Sequence, residues 1–555
     1  MSHVKGKERK QMILLPSSVD EYVEEYNPVR VIDAFVDTLD LKALGFDKAV
    51  PASTGRPAYS PSDLLKLYIY GYMNKIRSSR KLMTECRRNI ELFFLLNELK
   101  PDFRTISDFR KNNPEPIREV FREFVKLCDE FGLYKKELIA IDGTKVRAQN
   151  ADDKCYNASI LKSKIARIDA HIEEYIGALK KNDESGEDDD EEDGRKSDPE
   201  EIKATLERLM ERREKYSGYL TYLNNSKDTQ ILETDPESHR MHTRNGFHCC
   251  YNVQTAVDTE SHLICEYELT SKSNDMGGLT GIAKQTRKTL SVDKLSVVAD
   301  KGYDSKEDVL DTLMQGVLPN VPMRNGGDER VYSLDGRNLE VTDEMKASAK
   351  PMDVKKCLSA GVLPDCLEGG ALSISVQTAG GIVACFKRLN ENTVLCPMKK
   401  KLYLIKRRHG NHSIYRSRAA CRDCTNRCIA SKNAKEVCFV DGVDYVPAYV
   451  YGKSENLNVM PEKAFKDQHN RALHSRKAAR KVVLKIKYDD SMTRKRMCSV
   501  EHPFGSVKWY GDAGYVLCRG KRKATAEIGL SFLGYNMKRA IKMVGVQKLI
   551  KKMGE

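Results

Sequence analysis

Two short apolar runs, Leu138-Ile-Ala-Ile and Leu295-Ser-Val-Val-Ala, each close on an aspartate, Asp142 and Asp300, with a glycine one or two residues later. Runs that apolar and that short, cut off by turn formers, fit strands buried on both faces. Buried strands need helices over them, so this part of the chain builds a mixed α/β layer. A carboxylate that ends or nearly ends such a strand meets the crevice beyond it. A third acid, Glu501 in Val500-Glu-His-Pro-Phe-Gly-Ser-Val-Lys508, lies in a stretch that can open a helix. Pro503 is tolerated only in the first turn of that helix, and Lys508, seven residues on, shares the face of Glu501. Taken alone, an aspartate of this kind is more often a turn former or helix cap than a ligand. Gathered by a fold, the three would hold Mg²⁺ (or Mn²⁺) through hard oxygen ligands and activate water or a 3′-hydroxyl for attack on a phosphodiester. The chemistry implied is DNA strand transfer.

With 555 residues and 40% hydrophobic content, the chain can bury a sizeable core, divided over about three to five domains. The net charge of +14 survives a dense acidic run at Asp183–Asp193, so the remainder is more basic than the total suggests. A polyanion is the natural partner. The apolar run Met12–Leu15 is too short for a signal peptide and no segment approaches a membrane span. Sixteen cysteines then read as thiols or metal ligands in a reducing compartment, and a cytoplasmic, nucleoid-associated protein is expected.

Ser60-Pro-Ser-Asp63 opens a helix, with Ser60 as N-cap and Pro61 at the first helical position. Further helices are expected over about 78–97, 105–112 and 114–131, making residues 1–135 an N-terminal all-α domain. Arg77-Ser-Ser-Arg80 and Arg104 onwards mix small polar and basic residues as helix-turn-helix elements do, so Arg77, Arg80 and Arg104 are candidate DNA contacts. An ordinary bundle with a solvated basic face is the plainer alternative. Residues 158–225 read as two long amphipathic helices paired as a hairpin, with a disordered acidic tip at 183–194. Strands are expected over Phe247–Asp258, His262–Leu269, Leu295–Asp300 and Val317–Pro322, with helices near 276–290 and 305–315. A long irregular region follows to about 460.

Several segments resemble bacterial insertion-sequence transposases of the DDE type: Ala58-Tyr-Ser-Pro-Ser-Asp-Leu-Leu, Lys100-Pro-Asp-Phe-Arg-Thr-Ile-Ser-Asp-Phe-Arg, Tyr251-Asn-Val-Gln-Thr-Ala-Val-Asp, Ala299-Asp-Lys-Gly-Tyr and Val500-Glu-His-Pro-Phe-Gly-Ser-Val-Lys. The similarity spans about residues 55–545 in consistent order. It implies an RNase H-like catalytic core, at 136–323 plus 461–545, with Asp142, Asp300 and Glu501 as its catalytic, metal-holding carboxylates. It also implies that Lys508 contacts DNA near the cleavage site and that Arg496 stands for the basic residue on the turn before the glutamate. Residues 324–460 fill the place of the family's insertion domain. The resemblance further implies double-stranded DNA partners (terminal inverted repeats and target) and a homodimer on paired ends. A domesticated non-cleaving DNA-binding protein and a stand-alone nuclease are the rival readings.

Within 324–460, Cys396, Cys421, Cys424 and Cys428 place a C-x₂-C pair beside two more thiols, compatible with a structural Zn²⁺. Unmetallated thiols are the alternative. Arg471 to Arg496 is thick with basic residues, a grip for DNA backbone or a solvated helix face. Trp509 and Tyr510 read first as core packing and second as a platform for flipped bases.

Overall fold

The computed structural model describes residues 18–554 apart from 52, 55–56, 185–198, 337–338, 370, 379–380, 409–410, 423, 425–433, 452–456 and 459–479. The acidic tip from residue 185 on, Cys428 and the basic residues 471–479 therefore lie outside the described residues, while Asp183 and Glu184, expected in the disordered tip, end a helix. The chain forms two compact units: residues to 313 with 317–326 and 489–555, and residues 314–316 with 327–488.

In the first unit, the Ser60 hydroxyl accepts from the Ser62 amide and starts the helix Pro61–Met73. That helix is buried on nearly every side, through Leu64, Leu65, Leu67, Tyr68, Ile69, Tyr72 and Met73. Each large aliphatic among them contributes about 1.5–3 kcal/mol by leaving water. The C-terminal helix Lys521–Val544 packs on it and on Pro114–Glu130. A Cβ at Gly534 would stand 3.2 Å from the Met73 backbone nitrogen, so glycine is what permits the close approach. The expected separate domain at 1–135 is thus not separate: its helices share a core with the C-terminus. The helix expected over 78–97 is two, Ser79–Glu85 and Ile90–Leu95, because the Asn89 side chain accepts from the Glu91 amide and caps a new helix.

The strands of this unit are β1 (Ile139–Arg147), β2 (Cys155–Tyr156), β3 (Ile231–Leu232), β4 (His239–Thr243), β5 (Gly246–Asp258), β6 (Ile264–Thr270), β7 (Leu295–Val298) and β8 (Val317–Asn320). The main sheet runs β4-β5-β1-β7-β8, with β6 also on β5. β1 is antiparallel to β5 and parallel to β7, and β7 is parallel to β8. The helices Leu279–Thr289 and Lys306–Met314 supply the crossovers that parallel strands require. Helices Ala158–Glu184 and Pro199–Asn225 pair as a hairpin around Leu161, Ile168, Tyr216 and Leu223.

The second unit is not irregular, as expected, but largely sheet. Glu329–Asp335, Arg480–Lys487 and Leu372–Thr378 form one antiparallel sheet. Six strands between Gly381 and Tyr451 form another, around Phe386, Val394, Leu402, Tyr415 and Phe439. Its strands alternate, Leu402 buried and Tyr403 exposed, but their outward positions carry so many Lys and Arg that the apolar period is short and easily lost. The strand Arg480–Lys487 belongs to this unit, so the return to the core falls at residue 489, not 461, and the core continues past 545 through the helix Val546–Gly554.

Candidate active site

β1 is the central strand, and its two neighbours differ in length. β5 pairs with it along its whole length, including Asp142 opposite Thr255. β7 pairs only with Ile139 and Ala140. Asp142 is therefore mid-strand, not strand-terminal as expected, because the long antiparallel partner carries β1 on to Arg147. On the parallel side, however, the sheet has already opened. The β1–β7 register, Ile139 to Val297 and Ala140 to Val298, sets Asp142 level with Asp300 when carried two residues further. Asp300 follows β7, and its carboxylate accepts from the Gly302 amide at 2.7 Å, capping a short 3₁₀ turn.

The Asp142 carboxyl is pushed up to about 6, first by burial and then by the charges of Asp300 and Asp275, against the opposing pull of Arg496. Arg496 Nη1 lies 2.9 Å from Asp142 Oδ2, an ionic contact out of line for a hydrogen bond. Arg496 Nε has no hydrogen-bond partner among the described residues. Arg496, expected to touch DNA, here faces a carboxylate.

Glu501 is not brought to the two aspartates. Its helix, Asp490–Gly505, begins eleven residues earlier because the Asp489 carboxylate accepts from the Ser491 amide and caps it there. Pro503 thus sits in the last turn, not the first. Ser499 and Val500 are buried, Arg496 faces Asp142, and Glu501, five positions past Arg496, is exposed. Among the described residues no three His, Cys, Asp or Glu side chains gather closely enough to hold one metal ion. After Gly505 the chain takes a π turn, Ser506–Tyr510, so Lys508 does not continue the helical face of Glu501. The Lys508 amine instead donates to the Lys145 carbonyl on β1 at 2.7 Å, and burial pushes it down to about 8.

The remaining candidates divide. Arg77 is buried, 3% exposed, and its guanidinium donates to Glu527 at 2.7 Å and to the carbonyls of Asp512 and Tyr515. It is a structural strut, and the expected DNA contact is corrected: a lone Arg before a helix gives no sign of its buried partner 450 residues away. Arg80 and Arg104 are exposed and flank the Phe103 ring. Trp509 and Tyr510 are 83% and 73% exposed, which excludes the core-packing reading. Cys396, Cys421 and Cys424 line one small cavity with Phe386 and Leu402. Sequence reasoning passed over Asp275, whose carboxylate lies beside both aspartates; its only signal was Asn274-Asp275 before a glycine pair, which reads as a turn.

The donor set at Asp142 and Asp300 is all carboxylate oxygen, and Asp142, raised first by burial and less by its carboxylate neighbours, is the kind of group whose charge a hard divalent cation stabilises. To that extent Mg²⁺ or Mn²⁺ fits; the Glu501 position does not yet complete it.

Residues 17–112 match the family described as a transposase domain (DUF772), and residues 133–408 match the transposase DDE domain. The chain belongs to the DDE transposases. The DDE match covers Asp142 and Asp300 and ends before Glu501. Among solved structures, the piggyBac transposase synaptic complex with hairpin DNA aligns over 95% of this chain and 79% of that one, at 9% identity and a TM-score of 0.26, too loose to equate the two folds. No curated protein matches. The protein is a DNA transposase enzyme, and no described helix is long and apolar enough to cross a membrane.

Proposed function

We propose that this transposase cuts the ends of a mobile element and joins the freed 3′-hydroxyls to target DNA at one site, built on Asp142 and Asp300 with Glu501 as the third carboxylate. One observation carries the reading: the parallel register that sets Asp142 level with Asp300 where β7 ends. The sheet order, with β6 outside β5 and then β1, β7 and β8, supports an RNase H-like core. Asp142 and Asp300 would hold Mg²⁺ or Mn²⁺, which would supply neutralisation of the charge that builds on the attacked phosphate.

The chain's own residues do the rest. Arg496 exchanges Asp142 for a DNA phosphate, freeing a carboxylate that it now neutralises. The helix Asp490–Gly505 turns to bring in Glu501; Pro503 and the π turn at its end are the places where the helical hydrogen-bond ladder is already broken. Lys508, Arg80 and Arg104 serve phosphates, and the exposed Trp509 stacks on an unpaired base. Double-stranded terminal repeats and target DNA are the substrates, and a homodimer pairs two ends.

The test is cleavage and joining of end DNA by Asp142→Asn, Asp300→Asn and Glu501→Gln. Each is expected to lose both reactions while end binding measured without divalent metal holds within about threefold, since basic side chains rather than these carboxylates make the phosphate contacts. Near-normal cleavage by any one of them removes that residue from the site.

A further inference from the structure

We propose that Lys75, Lys538 and Lys542 form a basic ridge that binds the phosphate backbone of duplex DNA, laying it between the Trp509–Tyr510 turn and the helix that carries Glu501. The inference rests on the reading that this turn and this helix face DNA.

Three elements bring the ridge together. The helix Lys521–Val544 presents Lys538 and Lys542, four residues apart and both exposed, on one face. Both line a cavity with Asn74, the residue that ends the helix Pro61–Met73. Lys75 follows it, and its amine stands 5.5 Å from the centre of the Tyr510 ring. Partial burial, and then the charge of Lys75, pull the Lys538 amine below its ordinary range. At the other end of the ridge is His502, the residue after Glu501. It shares a hydrogen bond of 3.1 Å with the Tyr535 hydroxyl of the same long helix. Partial burial, and then the charges of Arg539, His262 and Lys542, hold its imidazole below the usual range. The ridge thus runs from Tyr510 to the neighbour of Glu501.

Exposed lysines on a basic protein are ordinarily solvated, and a cation at a helix C-terminus complements the helix dipole. Lys542 in the last turn and Lys75 just past another helix fit that account; Lys538, ahead of the last turn, does not. Elsewhere exposed cations of this protein stand against acids: Arg88 against Glu85, Lys126 against Glu123, Arg494 against Asp490. Here the groups that face one another are Lys75, Lys538, Arg539, Lys542 and two imidazoles, His262 and His502, whose rings meet at 5.6 Å. Among the described residues none of the six is ion-paired with a carboxylate, and the three lysine amines make no hydrogen bond. The carboxylate in the cavity, Glu91, has its oxygens taken by the Asn27 amide and the Tyr70 hydroxyl, at 2.7 and 2.6 Å. Like charges gathered without a counter-charge repel, and a run of phosphates relieves that repulsion.

The experiment follows binding of a labelled duplex of about 30 base pairs to the full chain by fluorescence anisotropy, without divalent metal, over a KCl series. Each phosphate contact contributes about 0.9 to the slope of log K against log salt, so Lys75→Gln, Lys538→Gln and Lys542→Gln together should reduce its magnitude by about 2 to 3. Lys162→Gln, Lys180→Gln and Lys203→Gln, which remove the same charge from exposed sites on the helical hairpin, should reduce it by less than about 0.5. Arginine at all three ridge positions should keep the parent slope. Equal losses in the two glutamine triples would make net charge the cause and overturn the proposal, as would a ridge triple with the parent slope. An arginine triple that loses as much as the glutamine triple also overturns it. Should the ridge triple fail to fold, Lys538→Gln alone, expected to lower the slope by about 1, is judged by the same outcomes. Since neither cleavage nor metal enters the measurement, failure of the carboxylate site shows instead in the reactions of Asp142→Asn and Asp300→Asn.

Discussion

Replacing Arg77 by alanine separates a buried strut from a DNA contact. In the folded protein its guanidinium lies 2.7 Å from Glu527, with side-chain exposures of 3% and 0%. Glu527 also accepts from the Leu517 and Cys518 amides at 2.8 and 2.9 Å, and Arg110 stands 3.7 Å away. Breaking a buried pair by removing one partner costs about 3–5 kcal/mol, because a desolvated charge is left behind. Arg110 and the two amides partly hold that charge, which places Arg77→Ala near the lower end, about 3 kcal/mol. The first unit has roughly 390 residues, so at about 2.1 cal/mol/K per residue its unfolding entropy is about 0.8 kcal/mol/K and the midpoint should fall by about 4 °C. Differential scanning calorimetry reads this directly, with the exposed Arg80→Ala, expected within about 0.5 kcal/mol of the parent, as reference. A midpoint unchanged within 1 °C, together with a shallower salt dependence of DNA binding, would refute the strut and restore the DNA contact.

Three further outcomes are expected. Trp509→Ala should leave the thermal midpoint unchanged, its ring being 83% exposed, and weaken binding to ends bearing an unpaired base by about 1–3 kcal/mol in a fluorescence titration; equal losses on fully paired DNA would exclude base stacking. If Cys396, Cys421, Cys424 and Cys428 hold a structural zinc, metal analysis should find about one Zn²⁺ per chain, lost in Cys424→Ser; protein prepared without chelator and free of zinc ends that idea. Burial pushes the Lys508 amine down to about 8, so its native proton is held less firmly than in the unfolded chain, and the stability this group contributes is present at high pH and lost as pH falls through about 8. A phosphate favours the charged amine, so DNA binding should take up a proton and weaken as pH rises past about 8, a dependence absent in Lys508→Ala; identical pH profiles would separate Lys508 from the phosphate.

What the sequence disclosed and what it hid follow from where each residue's constraint lies. Asp142 and Asp300 were legible because local signals, an apolar run and a glycine, define their strands, and neither needs a distant partner to be noticed. Their being level with each other was not legible, since the β1–β7 register is set across more than a hundred residues of intervening chain. The start of the glutamate helix was misplaced because Pro503 is a loud signal and Asp489 a quiet one, yet the Asp489 cap decides it. Arg77 misled for a related reason. Its neighbours Ser78, Ser79 and Arg80 advertise a polar surface, while its partner Glu527 is buried in a helix at the other end of the chain. Asp275 was invisible: nothing local distinguishes a carboxylate held by Asn252 and Gln254 from a turn former before two glycines.

Arg496 and Glu501 occupy one helix, and their positions on it are five residues apart, so about 140° separates them around its axis. The two cannot face Asp142 together while that helix stays regular. With Arg496 toward the sheet, Asp142 is neutralised by a guanidinium and Glu501 is in solvent; with Glu501 toward the sheet, Arg496 leaves and Asp142 loses the guanidinium that faces it. The second arrangement is stable only if other positive charge replaces Arg496 while the departing guanidinium finds an anion. A divalent ion at the aspartates and a DNA phosphate beside the helix meet both conditions at once, so the helix rotation, cation binding and end binding are expected to favour one another. The coupling is reciprocal: end DNA should tighten Mn²⁺ binding by the same factor by which Mn²⁺ tightens end DNA.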